Sequence, residues 1–224
     1  MAVSQQKQDR PHTTEITQTR REREKRERRE TIINAAKELF YEKGFQVTTM
    51  EDIAAAAELS KGTLYLYFGS KDELYITIIL EGFQIIGDRL EEIRGRDMDL
   101  IEKGKSMFMA FIEFCMANRE YFRITQYFLS ERARANLPDE LVTGVTAATS
   151  RLLEYVAAVV GQGKKTGLLR KDLDPLVFSL IAWRTATGLL DLAIINDQTG
   201  VSAGDYQQIF EKAFDLLISG SLKR

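Results

Sequence analysis

Between Ser60 and Tyr67 the run S-K-G-T-L-Y-L-Y gathers an ammonium, aliphatic hydroxyls and phenols into two turns of chain. Lys61 and Thr63 can donate to phosphate oxygens or base acceptors, and Tyr65 and Tyr67 carry a hydroxyl on a rigid ring. Gly62 sits among them. Inside a short helix a glycine costs about 1 kcal/mol against alanine, which makes sense where the backbone must approach another surface closely. This is the chemistry of gripping a polyanion rather than of making or breaking bonds. The usual catalytic tools are scarce: the single histidine, His12, lies in a polar N-terminal stretch, and the single cysteine is Cys115. A histidine base, a Cys-His pair and a His- or Cys-rich metal site are therefore not expected, no cofactor is implied, and the carboxylates show no paired arrangement.

Composition bounds the rest. The chain has 224 residues, 44% of them hydrophobic and 29% charged, with a net charge of −2, as for a globular chain with a sizeable core. Its three prolines leave long stretches in which nothing breaks a helix, so an all-α fold is expected, with about nine helices. One cysteine allows no internal disulfide, which fits a reducing cytoplasm. Residues 1–19 are polar and no run of about 18 apolar residues occurs, so neither a signal peptide nor a membrane span is expected.

The elements that must position Ser60–Tyr67 follow from the pattern. Residues 1–28 read as a disordered or helical basic leader: Arg20–Arg29 holds seven basic and three acidic residues. Glu22–Arg26 and Glu24–Arg28 are spaced to pair along a helix, and the arm suits phosphates as well as solvent. Ile32, Ile33, Ala36, Leu39 and Phe40 form the stripe of a first helix closed by Gly44. Thr48-x-x-Glu51 is a capping box for a second, ending near Glu58. Ser60 caps a third, expected to run to Phe68 with Gly69 as its stop, and Ser70-x-x-Glu73 opens a long fourth helix to about Arg94. Two short helices joined at Glu58-Leu59-Ser60 make a helix-turn-helix, whose second helix is expected in a DNA major groove. Leu64 and Phe68 would face the core, leaving Lys61, Thr63, Tyr65, Leu66 and Tyr67 on the outer arc. Five further helices are expected, starting near Asp99, Asn118, Pro138, Pro175 and Asp205, with Gly161 and Gly163 interrupting the Pro138 helix.

The stretch Ile32–Leu74 resembles the DNA-binding domain of TetR/AcrR-type transcriptional regulators. The match is carried by A-A-K-E-L-F-Y-E-K-G-F, by T-T-M-E-D-I-A-A-A-A-E-L-S-K-G-T-L-Y-L-Y-F and by G-S-K-D-E-L. The resemblance implies a three-helix DNA-binding domain over residues 29–74 and a larger helical ligand-binding and dimerisation domain over 75–224. It also implies that Thr49 and Lys71 hold phosphates, that Lys61, Gly62 and Thr63 lie deepest in the groove, and that Tyr65 and Tyr67 touch backbone or base edges. Leu66 departs from the polar residue many relatives carry there, and meets a thymine methyl or the rim. Residues 1–70 carry 12 basic and 11 acidic side chains, so DNA binding has to rest on local placement of charge.

In the second domain Phe108, Phe111 and Cys115 share a face, with Phe122, Gln126 and Tyr127 expected opposite. Trp183 and Arg184 are further candidates for the wall of a pocket and for an anionic group in it. The Pro175 helix is apolar nearly all round and should be buried on several sides, in the core or against a second copy. The expected function is a ligand-responsive repressor that binds a palindromic operator on double-stranded DNA as a homodimer and is released by a small hydrophobic effector. A helical carrier for lipophilic molecules is the alternative.

Overall fold

The computed structural model describes residues 12–130, 137–194 and 203–223. Every regular element among them is helical: α1 (His12–Glu42), α2 (Met50–Ala56), α3 (Lys61–Tyr65), α4 (Lys71–Gly95), α5 (Leu100–Ala117), α6 (Arg119–Leu129), α7 (Asp139–Lys165), α8 (Pro175–Ile194) and α9 (Ala203–Ser219). The chain divides into two compact units, Met1–Lys71 and Asp72–Arg224.

In the first unit the basic run and the first apolar stripe are one rod, because neither glycine nor proline interrupts the chain between Pro11 and Gly44. The leader is thus helical from residue 12; the reading of residues 1–11 as disordered lies outside the described residues. The ion pairs along the rod are Arg20–Glu24, Arg23–Glu27 and Arg26–Glu30 at 2.9, 3.4 and 3.9 Å. These replace the expected Glu22–Arg26 and Glu24–Arg28 pairs: Glu24 has a cation one turn to either side and takes Arg20. Gly44 closes α1 with φ +86°. Ile32, Ile33, Ala36 and Phe40 are buried with Met50, Ile53, Ala54, Leu64 and Phe68 as one small core.

The capping box of α2 lies one residue later than its sequence signature. Thr49 is the cap, receiving the Asp52 N–H at 3.1 Å while its own N–H donates to the Asp52 carboxylate at 2.9 Å. Thr48 is fully buried, and its hydroxyl donates to the carbonyls of Gly44 at 2.9 Å and Leu39 at 3.3 Å, closing the C-terminus of α1. Burial decides which threonine caps. The turn into α3 is a Schellman motif: Leu59 N–H bonds Ala54 O and Glu58 N–H bonds Ala55 O, with Glu58 itself left-handed at φ 55°.

In the second unit the larger core gathers Phe108, Ile112, Cys115, Phe122, Phe178, Ala182, Ala186, Leu190, Phe210 and Phe214 from α5, α6, α8 and α9. Asp99 and Asp174 cap α5 and α8 as their positions suggested. Helix α7 departs from expectation by running through Gly161 and Gly163 and stopping only before Gly167, which has φ +76°. Gly163 is there for packing: a Cβ would come within 2.8 Å of Leu169 Cδ1, whereas one at Gly161 would meet nothing within 4 Å. Opposite effects should follow. Gly163→Ala is expected to destabilise the protein by about 1–3 kcal/mol through overpacking. Gly161→Ala should stabilise it by about 0.5–1 kcal/mol, by removing backbone freedom from the unfolded chain. Thermal denaturation followed by circular dichroism reads both.

Helix α8 buries Phe178, Ala182, Ala186 and Leu190 but leaves Leu176, Val177, Leu180, Ile181 and Leu192 exposed. Its enclosure is therefore one-sided, not all round. Among the described residues it is the one helix long and apolar enough to cross a membrane by length and composition. It packs against α5, α7 and α9, as a core helix with one open face does.

Candidate functional site

The segment Ser60–Phe68 is a short rod anchored at two points. Ser60 is its N-cap: the side-chain oxygen accepts the Thr63 N–H at 3.1 Å and lies 2.8 Å from the Thr63 hydroxyl. Leu64 and Phe68 are buried. The α-helix proper ends at Tyr65, shorter than expected, because Leu66 and Tyr67 bond back three residues to Thr63 and Leu64 as Phe68 turns into the core. Gly69 is not left-handed and does not act as the αL stop that was expected.

The outer arc is open. Lys61 and Gly62 are exposed, Leu66 is 82% and Tyr65 44% exposed, and Thr63 and Tyr67 are half-buried. Lys61 is held against the start of α2 by an ion pair with Glu51. The hydrogen bond between them lowers the Glu51 carboxyl pKa from its ordinary value and raises that of the Lys61 ammonium. The Tyr65 ring centre lies 5.9 Å from the same ammonium. The Thr49 hydroxyl donates to Asp52 at 2.7 Å, and this bond, with that from the Thr49 N–H, lowers the Asp52 pKa. Lys71, expected to reach a phosphate, turns its ammonium to the carbonyls of Phe45 and Thr48, both at 2.8 Å, and to the Phe45 ring. In this structure it clips the α1–α2 loop to the start of α4.

The second unit encloses a cavity of about 120 Å³ walled by α4 to α9. Among the described residues no Asp, Glu, Lys, Arg or His lines it. Three of its hydroxyls are turned to their own helices, Ser179 donating to Pro175 O at 2.8 Å, Thr149 to Val145 O at 2.9 Å and Thr187 to Arg184 O at 3.2 Å, while the Tyr121 hydroxyl donates to the Glu81 carboxylate at 3.1 Å. Gln126, also in the wall, has no hydrogen-bond partner among the described residues. Burial pushes the Cys115 thiol far above its ordinary range, so it stays protonated and behaves as a small apolar group. Such a wall accepts an uncharged, largely hydrocarbon body with at most a few hydrogen-bonding atoms.

The family described as bacterial regulatory proteins, tetR family, matches residues 32–78, the span from the buried part of α1 to the first turns of α4. Over those residues the chain is similar to the TetR family. It is 24% identical over 189 residues to a fatty acid metabolism regulator protein of Bacillus subtilis, covering 84% of this chain and 93% of that one. It is 27% identical over 209 residues to the transcriptional regulator RutR of Escherichia coli, covering 91% and 95%. Among solved structures, the regulator FadR from Bacillus subtilis in complex with stearoyl-CoA superposes with a TM-score of 0.73 at 23% identity, over 85% of this chain and 97% of that one. The family and these relatives are transcription regulators, not enzymes.

The residues expected at an interface, Ser60, Lys61, Gly62, Thr63, Tyr65, Leu66 and Tyr67, form one continuous arc, with Thr49 at the neighbouring cap. Lys71 stands inside the loop it clips. Glu51, read from sequence as part of a capping box, and Arg29, read as part of the basic arm, instead contact the arc, the Arg29 guanidinium lying 5.2 Å from the Phe68 ring centre. Of the residues expected around a pocket, Phe108, Phe111, Cys115, Phe122, Gln126 and Trp183 line the cavity. Tyr127 and Arg184 do not: Tyr127 packs edge-on against Tyr75, and Arg184 is exposed beside the Trp183 ring. Phe83 of α4, Met107 of α5 and Leu152 of α7, which were not among the expected pocket residues, also line it.

Proposed function

We propose that the chain is a repressor that binds a two-fold operator as a homodimer and leaves it when a fatty-acyl chain enters the cavity. The observation that carries the effector class is a wall without one charged side chain among the described residues, which suits hydrocarbon and rejects charge. The stearoyl-CoA complex of a related regulator supports the acyl class. A coenzyme head, being anionic, would have to stay outside, with Gln126 available to a carbonyl. On the DNA side, Lys61 would exchange Glu51 for a phosphate, and Thr63, Tyr65 and Tyr67 would meet backbone or base edges. The exposed apolar side chains of α8, with Leu216 of α9, suit a second copy of the chain. Helix α4 starts at Lys71 and carries Gly82, Phe83, Ile86 and Leu90 into the cavity wall, which makes it the natural lever. DNA binding places the protein in the cytoplasm.

The test is selection of duplexes from a random pool, followed by titration of the retained duplex with acyl-CoAs of increasing chain length and with coenzyme A alone. The expected result is a two-fold sequence with half-sites about one helical turn apart. Long acyl chains should weaken its binding by about 5- to 150-fold, and coenzyme A alone should not. If acyl chains bind but no duplex is ever enriched, the protein is a carrier; if an enriched duplex ignores every acyl chain, it is a DNA binder with a different switch.

A further inference from the structure

The N-terminal half of α1 sorts its charges by face. At about 100° per residue, Arg20, Arg23, Arg26, Glu24, Glu27 and Glu30 share one side of the helix. They are the partners of the three ion pairs. Arg21, Lys25 and Arg28 fall within about 60° of one another on the other side. All three are exposed, and none has an ion-pair or hydrogen-bond partner among the described residues. Glu22 flanks this stripe. Ile32, the first fully buried residue of α1, lies on the stripe's own line, so the cations continue the face with which α1 packs its domain. One turn before Ile32, the contact of Arg29 with the Phe68 ring fixes that face beside the end of the α3 segment.

We infer that Arg21, Lys25 and Arg28 form a second phosphate-binding surface that extends the DNA contact of α3 along the flank of its site. The inference rests on the DNA-binding reading above. A helix kept only for solubility has no reason to spend its carboxylates on one face and leave the other cationic. Arg21 to Arg28 spans about 10 Å of helix, the length of about three phosphates along one strand. A duplex is favoured over an anionic membrane because the stripe carries no apolar side chains to insert between lipids.

Salt dependence tests the inference. The full chain, the triple variant Arg21→Gln/Lys25→Gln/Arg28→Gln and the control Arg20→Gln/Arg23→Gln/Arg26→Gln remove equal charge and keep helix propensity. Each is titrated by fluorescence anisotropy over a fourfold salt range, against the duplex enriched by the native chain and a random-sequence duplex of equal length. The stripe variant should lower the slope of log affinity against log salt by about 2–3 for each protomer bound, so the loss of affinity across that range shrinks about 40-fold per protomer. The control should change the slope by less than about 1. Equal changes in both variants would reduce the stripe to net charge and overturn the inference, as would an unchanged slope in the stripe variant. No retention of any duplex by the native chain would remove the DNA-binding reading as well.

Discussion

Gly62→Leu should leave the protein folded and as stable as before, yet weaken binding to its selected duplex by at least about 100-fold, some 3 kcal/mol. The two halves of this expectation come from different observations. Nothing inside the chain requires a glycine there: its φ is not left-handed, and an added Cβ would meet only the Ser60 hydroxyl oxygen, at 3.9 Å. Gly62→Ala should therefore be stabilising by up to about 1 kcal/mol. A glycine that its own fold does not need, between Lys61 and Thr63 on an exposed arc, is explained by close approach of another surface. A leucine would hold the rod away from base edges and disturb the neighbouring contacts, each worth about 1–3 kcal/mol. Melting temperature and duplex affinity should then move independently, or in opposite directions for alanine. Native affinity in Gly62→Leu would mean that α3 does not enter the groove.

The helix-turn-helix was legible because its information is local. Caps, glycines and apolar spacing within about 40 residues specify α1 to α3, and the outer arc follows once Leu64 and Phe68 are assigned to the core. What sequence missed there depends on contacts it cannot display. Thr48 and Thr49 are both good caps, and only the burial of Thr48 shows that Thr49 takes the role. Lys71 lies 26 positions from the Phe45 carbonyl it bonds, a pairing no helical spacing signals. Glu51 was read as part of a capping box, but tertiary geometry gives it to Lys61 instead.

The cavity was harder to read. Phe108, Phe111 and Cys115 follow one helical face, but Phe83 of α4 and Leu152 of α7 come from helices brought to α5 only by folding. Tyr127 was assigned to the wrong side because α6 presents Phe122 and Gln126 to the cavity while Tyr127 turns to Tyr75. Gly161 and Gly163 resembled a helix stop in sequence alone, because the close packing of Leu169 that requires a glycine at 163 is made only after the chain has turned back.

Filling the cavity should separate the two activities. Ala182 stands on α8 in the cavity wall, nearly buried, and Ala182→Phe would put a ring into the space proposed for the acyl chain. Duplex affinity should stay native, because the arc around Lys61 is untouched, while release by stearoyl-CoA falls from about 5- to 150-fold to none. Ligand-linked stability offers an independent reading. At about 100 times its dissociation constant a bound effector should stabilise the native chain by about 2.7 kcal/mol, and the filled variant by nothing. If the ring overpacks α5 and the variant unfolds, Phe111→Trp places extra bulk in the same space from the opposite wall. Glu113→Ala, on the exposed side of α5 and outside the cavity wall, is the control that should keep the response. A filled variant that still leaves DNA on acyl-CoA addition would place the effector elsewhere. One that keeps the thermal shift but loses release would show that the cavity binds the chain without moving α4.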